Sequence, residues 1–207
     1  YSTITKANHI QYENYINNVQ MTMSDDDITA LNAIDTNMSF YPLIELETLY
    51  MNLHIADLTS YVADPLFGNI RNSPTITYLS ATDLTKAGLS MLAGNLPTNA
   101  MDIAIPDFVY RAYLKHGYKT GSGGLTINIT KPQDLINRPF GNFTISGVVN
   151  TKFDFDVYKD YVDNVPETFF AALFCIQPAS YLFSGFHYTY FTSETFFNAS
   201  SQVNEYV

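Results

Sequence analysis

The stretch that decides the fold is residues 94–117, GNLPTNAMDIAIPDFVYRAYLKHG. It begins with a turn signal at 94–97, and the apolar run 101–105 that follows predicts a short strand. A proline and an aspartate then open a predicted helix over 108–116, and Gly117 is placed to end it in the left-handed conformation. The stretch therefore predicts turn, strand and helix in immediate succession.

Upstream of this stretch, residues 75–79 predict another short strand. Ser80 and Asp83 then have the spacing at which a hydroxyl and a carboxylate cap the first turn of a helix. We expect that helix to run through about Met91.

Downstream, residues 125–130 and 142–149 alternate and predict two paired strands around a turn at 137–141. The glycine-rich loop 120–124 lacks the Gly-Lys-Ser/Thr ending of a phosphate-binding loop, and a strand rather than a helix follows it. Nucleotide binding is therefore not expected there.

The first part of the chain is less legible. Ser24 followed by the acids 25–27 predicts a helix start, after which Ile28, Leu31 and Ile34 fall on one face. Residues 42–55 mix alternation with β-branched and aromatic residues and predict a half-buried strand.

The last part of the chain is rich in aromatic residues. Residues 169–176 and 186–191 predict strands. Ser193 can cap a final helix over 194–206.

Composition and charge restrict the class of protein. The net charge is -10, and it is distributed as -8 over residues 1–70, +3 over 71–159 and -5 over 160–207. Because the chain is acidic and has no basic run, we expect no nucleic-acid partner. The uneven distribution of charge indicates that the middle of the chain is a separate structural unit.

The single cysteine, Cys175, lies in an apolar run, cannot form an internal disulfide and is expected to be buried. No stretch approaches the roughly 20 apolar residues of a transmembrane helix, and the chain opens without Met or a signal peptide, so we expect a fragment of a longer protein.

A search for catalytic and metal-binding patterns gives no candidate set. The four histidines are scattered, with no spacing typical of a metal site, so we expect no metal and no cofactor. Asp154 and Asp156 flank Phe155 and could project together from a strand, as in a carboxylate pair of a hydrolase. The simpler interpretation is that both are solvated acids after a strand.

An aromatic cluster near the C-terminus offers the only candidate partner-binding residues: Tyr181, Phe183, Phe186, Tyr188 and Tyr190. Aromatic residues at this density are usually core. The alternative is an exposed recognition patch, because Tyr and Phe give a large contact area at a small entropic cost. The sequence leaves both interpretations open.

A resemblance to a known family rests on two segments. Residues 84–105, with Gly88, Gly94 and the run Leu96-Pro97, resemble the "G-x-L-P-x-x-x-x-E-I-x-I" segment of FtsX/MacB-like ABC-transporter permeases, with Asp102 where Glu is usual. Residues 143–151, FTISGVVNT, resemble the later "f-x-I-x-G-V-v-x-t" strand of the same family. The order and the spacing of the two segments both match, over about 75 of the 207 residues.

The resemblance implies an α+β, two-lobed domain of the MacB-like periplasmic core type. We expect lobe A at about 1–74 plus 152–207, and lobe B at about 75–151. The implied location is the extracytoplasmic side of a bacterial cell membrane, with the domain inserted between membrane helices.

The implied function is a non-catalytic domain that engages a substrate or partner and couples it to transport. Its partners would be its own transmembrane helices, a second permease copy and a separate ATPase domain or subunit. The ligand or adaptor would be a peptide, a lipid-linked molecule or an antibiotic. The main alternative is a free-standing cell-surface or secreted binding or adhesion module. A secreted hydrolase with an unrecognised carboxylate pair is a third possibility.

Overall fold

The structure is a computed structural model that describes residues 3–4, 10–11, 25–34, 41, 43–45, 53–64, 67, 75–121, 124–155 and 185–204. Its strands are β1 Thr3–Ile4, β2 Ile10–Gln11, β3 Ile44–Glu45, β4 Thr75–Thr77, β5 Ser90–Gly94, β6 Asp102–Pro106, β7 Tyr118–Lys119, β8 Thr126–Ile127, β9 Pro139–Phe140, β10 Phe143–Asn150 and β11 Thr189–Thr192. Its helices are α1 Asp25–Ile34, α2 Leu58–Ala63, α3 Ala81–Lys86, α4 Asp107–His116 and α5 Glu194–Asn204, with 3₁₀ turns at Pro132–Leu135 and Gly185–Tyr188.

One mixed sheet organises the described residues. Its strand order is β3-β4-β11-β6-β10-β5, and β9 pairs with the beginning of β10 on the same side as β5. β10 runs parallel to β6 and antiparallel to β5, while β11 runs parallel to β4 and antiparallel to β6. A mixed sheet with a few short helices is consistent with the predicted α+β class.

Both faces of the central strands are buried. Ile103 and Ile105 of β6 belong to the apolar cluster that contains Tyr113 of α4, whereas Ala104 between them belongs to the cluster that contains Leu84 of α3. Successive side chains of a strand point to opposite faces, so α4 covers one face of the sheet and α3 the other. The middle of β6, residues 103–105, is therefore a continuous apolar run rather than an alternating one.

The predicted strand and helix of the deciding stretch are both confirmed. β6 covers 102–106 against a predicted 101–105, and α4 covers 107–116 and ends at Gly117, whose φ is +74°. The prediction of a helix through Met91 is wrong: α3 ends at Lys86, and 90–94 form the strand β5.

The early end of α3 has a local cause at Gly88. Its φ is +73°, its N–H bonds to the carbonyl of Thr85, and the next amide, that of Leu89, bonds to the carbonyl of Leu84. This is the helix-ending motif in which the residues flanking the glycine turn also pack together, and Leu84 and Leu89 share one apolar cluster. The predicted cap at the start of α3 is confirmed, because Ser80 Oγ accepts the N–H of Asp83 at 3.1 Å.

The predicted pairing of 125–130 with 142–149 is wrong. Tyr118 and Lys119 of β7 pair with β8, and β10 pairs with β9, β6 and β5. The tight connection between β9 and β10 is made by Gly141, at φ +59°, and the next residue. The strand predicted over 142–149 is present as β10, but its partners β5 and β6 lie far away in sequence.

Two glycines face each other where β5 and β10 meet. Gly94 is the register partner of Gly147. A Cβ on Gly94, whose φ is +65°, would overlap the carbonyl oxygen of Ser146, and a Cβ on Gly147 would lie 2.5 Å from the carbonyl oxygen of Asn95. Neither position can hold a side chain without moving the backbone.

The predicted lobe boundaries do not divide the central sheet. β11, assigned to lobe A, lies between β4 and β6, which were assigned to lobe B. Phe67 and Tyr188 of lobe A also share an apolar cluster with Phe108 of lobe B. Over the described residues the two segments thus share one sheet and its core. The division of the whole chain stays a prediction, since much of 1–74 and all of 156–184 lie outside the described residues.

The elements predicted near the two ends of the chain are present in part. The helix predicted after Ser24 is present as α1, although Ile34, expected on its apolar face, is 78% exposed. The strand predicted at 186–191 is a 3₁₀ turn followed by β11, and the helix predicted after Ser193 is α5. Of the strand predicted over 42–55, the described residues 44–45 form β3, residues 53–54 are not in a strand, and Ile55 forms an isolated bridge with Tyr118. Cys175, Ser24 and the strand predicted at 169–176 lie outside the described residues.

Candidate functional site: the polar junction of α2 and α4

The most concentrated polar chemistry in the described residues lies where α2 packs on the end of α4. There, His116 Nε2 lies 2.9 Å from Asp64 Oδ2, and His116 Nδ1 lies 3.0 Å from Ser60 Oγ. The side chains of His116 and Asp64 are 1% and 2% exposed. We call Ser60, Asp64 and His116, with the neighbouring Lys115, the α2–α4 junction.

Local structure positions each member of the junction. Asp57 caps α2 by accepting the N–H of Ser60 at 3.0 Å, which fixes the first turn of this short helix. Asp64 follows the last residue of α2, and His116 is the last residue of α4, where a histidine suits the negative end of the helix dipole. The junction is further closed by the N–H of Asp57, which donates to the carbonyl of His116 at 2.9 Å.

The Asp64 carboxylate is surrounded by donors. Besides His116, Lys115 Nζ lies 2.7 Å from Oδ2, and the N–H of Phe67 donates to Oδ1 at 3.1 Å. A buried carboxylate is tolerable only with such partners, because desolvation alone would cost several kcal/mol. Lys115 is 49% exposed, so its contribution is screened by solvent.

The hydrogen-bond partners restrict the protonation of His116. A carboxylate only accepts, so Nε2 carries a proton toward Asp64. In the neutral imidazole Nδ1 is then the lone-pair nitrogen, and the hydroxyl of Ser60 donates to it. The rings of Tyr61 and Phe67 meet the imidazole edge-on at 5.6 and 5.8 Å.

This arrangement allows two kinds of role. As a structural tie, it fastens α2 to α4 through the hydrogen bonds that His116 forms with the buried Asp64 carboxylate and the Ser60 hydroxyl. As a chemical group, it places a nucleophile, a base and a residue that orients the base within hydrogen-bond reach of one another. Sequence reasoning missed it, because Ser60 and Asp64 are separated from His116 by 56 and 52 positions and form no motif.

A second polar cluster ties α4 to the end of β10. The buried Asp107 accepts the hydroxyl of Thr151 at 2.6 Å and its N–H at 3.1 Å. Since that hydroxyl donates to the carboxylate, it accepts from His187 Nδ1, 3.1 Å away. The cluster joins α4, β10 and the 3₁₀ turn before β11, and its interior position gives it a structural role.

The predicted aromatic cluster is core at the positions that the structure describes. Phe186, Tyr188 and Tyr190 are 5%, 6% and 3% exposed, and they lie in three different apolar clusters. They therefore do not offer a surface patch in this structure. Tyr181 and Phe183 lie outside the described residues.

The other sequence candidates do not assemble into a site. Asp154 is exposed, and Asp156 lies outside the described residues. Within the described ranges, no three His, Cys, Asp or Glu side chains gather as a metal-binding group. No described helix has the length and the apolar character needed to cross a bilayer.

Several buried tyrosines beside the junction keep their protons at high pH. Burial raises the pKa of Tyr118 to about 12, and burial also raises the pKa of Tyr113 and of Tyr190. The phenol of Tyr118 donates to the carbonyl of Pro139 at 2.7 Å, and that of Tyr113 to the carbonyl of Leu53 at 2.6 Å. The phenol of Tyr113 thus fastens Leu53 to α4, and the phenol of Tyr118 fastens β9 to β7.

Comparisons with known proteins identify no relative. No family model matches this sequence, no curated protein matches it, and no solved structure matches its fold.

Proposed function

We propose that this chain is the extracytoplasmic domain of a bacterial ABC-transporter permease of the FtsX/MacB-like type. In this role it engages a substrate or partner outside the cytoplasm and couples that partner to ATP-driven motion of the membrane helices. The proposal rests on the order and spacing of the two segments 84–105 and 143–151.

The observation that carries the proposal is how those two segments meet. Gly94 of the first segment and Gly147 of the second are register partners, and each stands where a Cβ would collide with backbone. The strand β6 from the first segment runs parallel to β10 from the second. The residues that carry the resemblance thus form one folded unit, and the close approach of β5 and β10 gives its two glycines a physical reason, which supports the proposal.

Coupling requires a rigid body that can pass on movement. β6 is buried on both faces, as are residues 147–149 of β10, and Asp107 of α4 is hydrogen-bonded to Thr151 just after β10. A domain of this kind moves as a unit, and its partner responds only if it is bound differently in two states of the transporter. The proposed role requires no chemical step of the domain itself, because a separate ATPase domain or subunit hydrolyses ATP.

The proposed partners follow from this role. They are the transmembrane helices of the same polypeptide, a second permease copy and the ATPase. The ligand or adaptor would be a peptide, a lipid-linked molecule or an antibiotic. The alternative remains a free-standing surface or secreted binding module, which would have neither membrane helices nor an ATPase partner.

A topology experiment separates these two. In the full-length parent protein, expressed in bacterial cells with Cys175→Ala, we would introduce Leu125→Cys, since Leu125 is 82% exposed. A membrane-impermeant maleimide should label this cysteine in intact cells. Ala104→Cys, at a position that is fully buried, is the matched control and should react only after denaturation.

The outcomes are distinct. Labelling of the Leu125→Cys variant in intact cells, with an ATP-hydrolysing subunit co-purifying in detergent, supports the permease. Labelling only after the cells are broken overturns the extracytoplasmic location. Labelled protein released into the medium without a membrane-bound form supports the free-standing module.

A further inference from the structure

We propose that Ser60 is an activated nucleophile that accepts an acyl group from reactive esters, with His116 as the base. The inference goes beyond the coupling role and does not depend on it. It rests on the geometry of the α2–α4 junction, where Ser60 Oγ, His116 and Asp64 form a continuous hydrogen-bonded series.

The distances meet the requirement for proton transfer. A base must lie within about 2.6–3.2 Å of the atom whose proton it takes, and His116 Nδ1 is 3.0 Å from Ser60 Oγ. Asp64, 2.9 Å from Nε2, holds the imidazole in the tautomer whose Nδ1 is free to accept a proton. The two nitrogens exchange the places that they have in serine proteases, but either nitrogen of a neutral imidazole can serve as the base.

The nucleophile is open to solvent, whereas the base and the residue that orients it are shielded from solvent. Ser60 is exposed, so a small acyl donor can reach it. The side chains of His116 and Asp64 are almost completely buried, and the rings of Tyr61 and Phe67 pack against the imidazole. In a site shielded in this way, the Asp64 charge stabilises the imidazolium that forms during the reaction more than it would in water.

The step is a simple acyl transfer. Ser60 Oγ attacks the carbonyl carbon of an ester while its proton passes to His116 Nδ1. The bond between that carbon and the leaving oxygen breaks, and the proton leaves with the alcohol. Ser60 then carries the acyl group as an ester, and no oxidant or further reactant is needed.

The amides nearest to Ser60 predict a lasting adduct rather than rapid turnover. The N–H of Ser60 bonds to Asp57 Oδ1, and the N–H of Tyr61 bonds to the carbonyl of Asp57. Neither is available to stabilise an oxyanion, a contribution typically worth about 10²–10³ in rate. We therefore expect small, activated acyl donors to react and the acyl-serine to persist.

The test compares two exposed serines of the same molecule. The chain is incubated with p-nitrophenyl acetate, and acetylation of Ser60 and of Ser90 in β5 is followed by peptide mass mapping. General-base assistance typically gives 10²–10⁴-fold, so Ser60 should acetylate on the order of 100-fold faster than Ser90. Peptide mapping also separates the ester from acetylation of the neighbouring Lys115 amine.

Two variants make the result decisive. In His116→Gln the ratio of the two rates should fall to about one, while Ser90 reacts as before. In Asp64→Asn the ratio should fall in part, and Asp64→Glu should restore some of it if Asp64 orients the base. A wild-type ratio near one, in protein that unfolds cooperatively, contradicts the proposal and leaves the junction a purely structural tie. A high ratio that persists in His116→Gln excludes His116 as the base and also overturns it.

Discussion

The central sheet and the buried His116–Asp64 pair of the α2–α4 junction are held together by different forces. The sheet is closed by apolar side chains and by two glycines that let β5 and β10 approach where a Cβ would collide. The junction is closed by a carboxylate, an imidazole, an ammonium and a hydroxyl that satisfy one another. The sheet should therefore be sensitive to added volume, and the junction to lost hydrogen-bonding partners and charge.

The largest effect is expected at the glycine pair. Gly94→Ala combines a left-handed backbone with overlap against the Ser146 carbonyl, so we expect a loss of about 3 kcal/mol or more in the free energy of unfolding. Gly121→Ala is the matched control, since its φ of +67° is similar and nothing lies within 4 Å of the added Cβ. That variant should lose only about 1 kcal/mol, the cost of the backbone conformation. Urea unfolding followed by circular dichroism measures both, and equal losses would show that the close approach is not tight.

A smaller effect is expected at the junction. Asp64→Asn keeps the shape but removes the charge shared by His116 and Lys115, and we expect a loss of about 1–3 kcal/mol. Lys115→Met removes only the half-exposed partner and should cost about 0–1 kcal/mol. The same urea titrations measure the difference. If Lys115→Met were less stable than Asp64→Asn, the buried carboxylate would not be the group that holds the junction together.

Alkaline pH should weaken the packing on the α4 side of the sheet. Folding raises the pKa of Tyr118 from 10.0 to about 12, so the folded state holds this proton more tightly than the unfolded state. The resulting stability is fully present below pH 10 and is lost as the pH rises toward about 12. Tyr118→Phe removes this contribution, and at neutral pH it should cost about 1 kcal/mol through the lost hydrogen bond to Pro139. If the melting temperatures of the wild type and of Tyr118→Phe fell equally as the pH rose, the loss of stability at alkaline pH would have to come from other groups.

The smallest effect is expected at the hydrogen bonds that Asp134 accepts on the solvent side of the 3₁₀ turn Pro132–Leu135. Asp134 Oδ2 accepts three hydrogen bonds, from the N–H and the hydroxyl of Thr130 and from the N–H of Lys131. These bonds, above all the one from the Thr130 N–H, lower the pKa of Asp134. The contribution of the ionised Asp134 to the stability of the fold is therefore present at a pH above the ordinary pKa of an aspartate, and it is lost as the pH falls through the lowered pKa. Asp134→Asn should slightly reduce stability at neutral pH and flatten the acid side of the profile. An unchanged acid limb in thermal melts would contradict this.

Sequence analysis succeeded where the determinants are local. The strand β6, the helix α4 and its end at Gly117 are consecutive in sequence, and so are the signals that produce them. The cap formed by Ser80 and Asp83 was found for the same reason. The end of α3 was missed, although the left-handed Gly88 that causes it was visible in the sequence.

The pairing of strands that are distant in sequence could not be predicted from local signals. β11 inserts between β4 and β6 from more than 80 positions away, and nothing in its four residues specifies either neighbour. The candidate site has the same difficulty, because Ser60 and His116 meet only after α2 packs on α4. The burial of Phe186, Tyr188 and Tyr190 likewise depends on contacts between elements distant in sequence, so the sequence leaves the choice between core and surface open.

The measurement that most directly tests the coupling role follows the distance between two copies of this domain during the ATPase cycle. The full-length parent, with Cys175→Ala and a spin label on Leu125→Cys, would be purified with its ATPase and examined by pulsed electron resonance. Leu125 is suitable because it is 82% exposed and directly precedes β8. We predict that the distribution of distances between the two labels differs between the nucleotide-free and the nucleotide-trapped complex. Identical distributions in a complex that hydrolyses ATP would contradict the account.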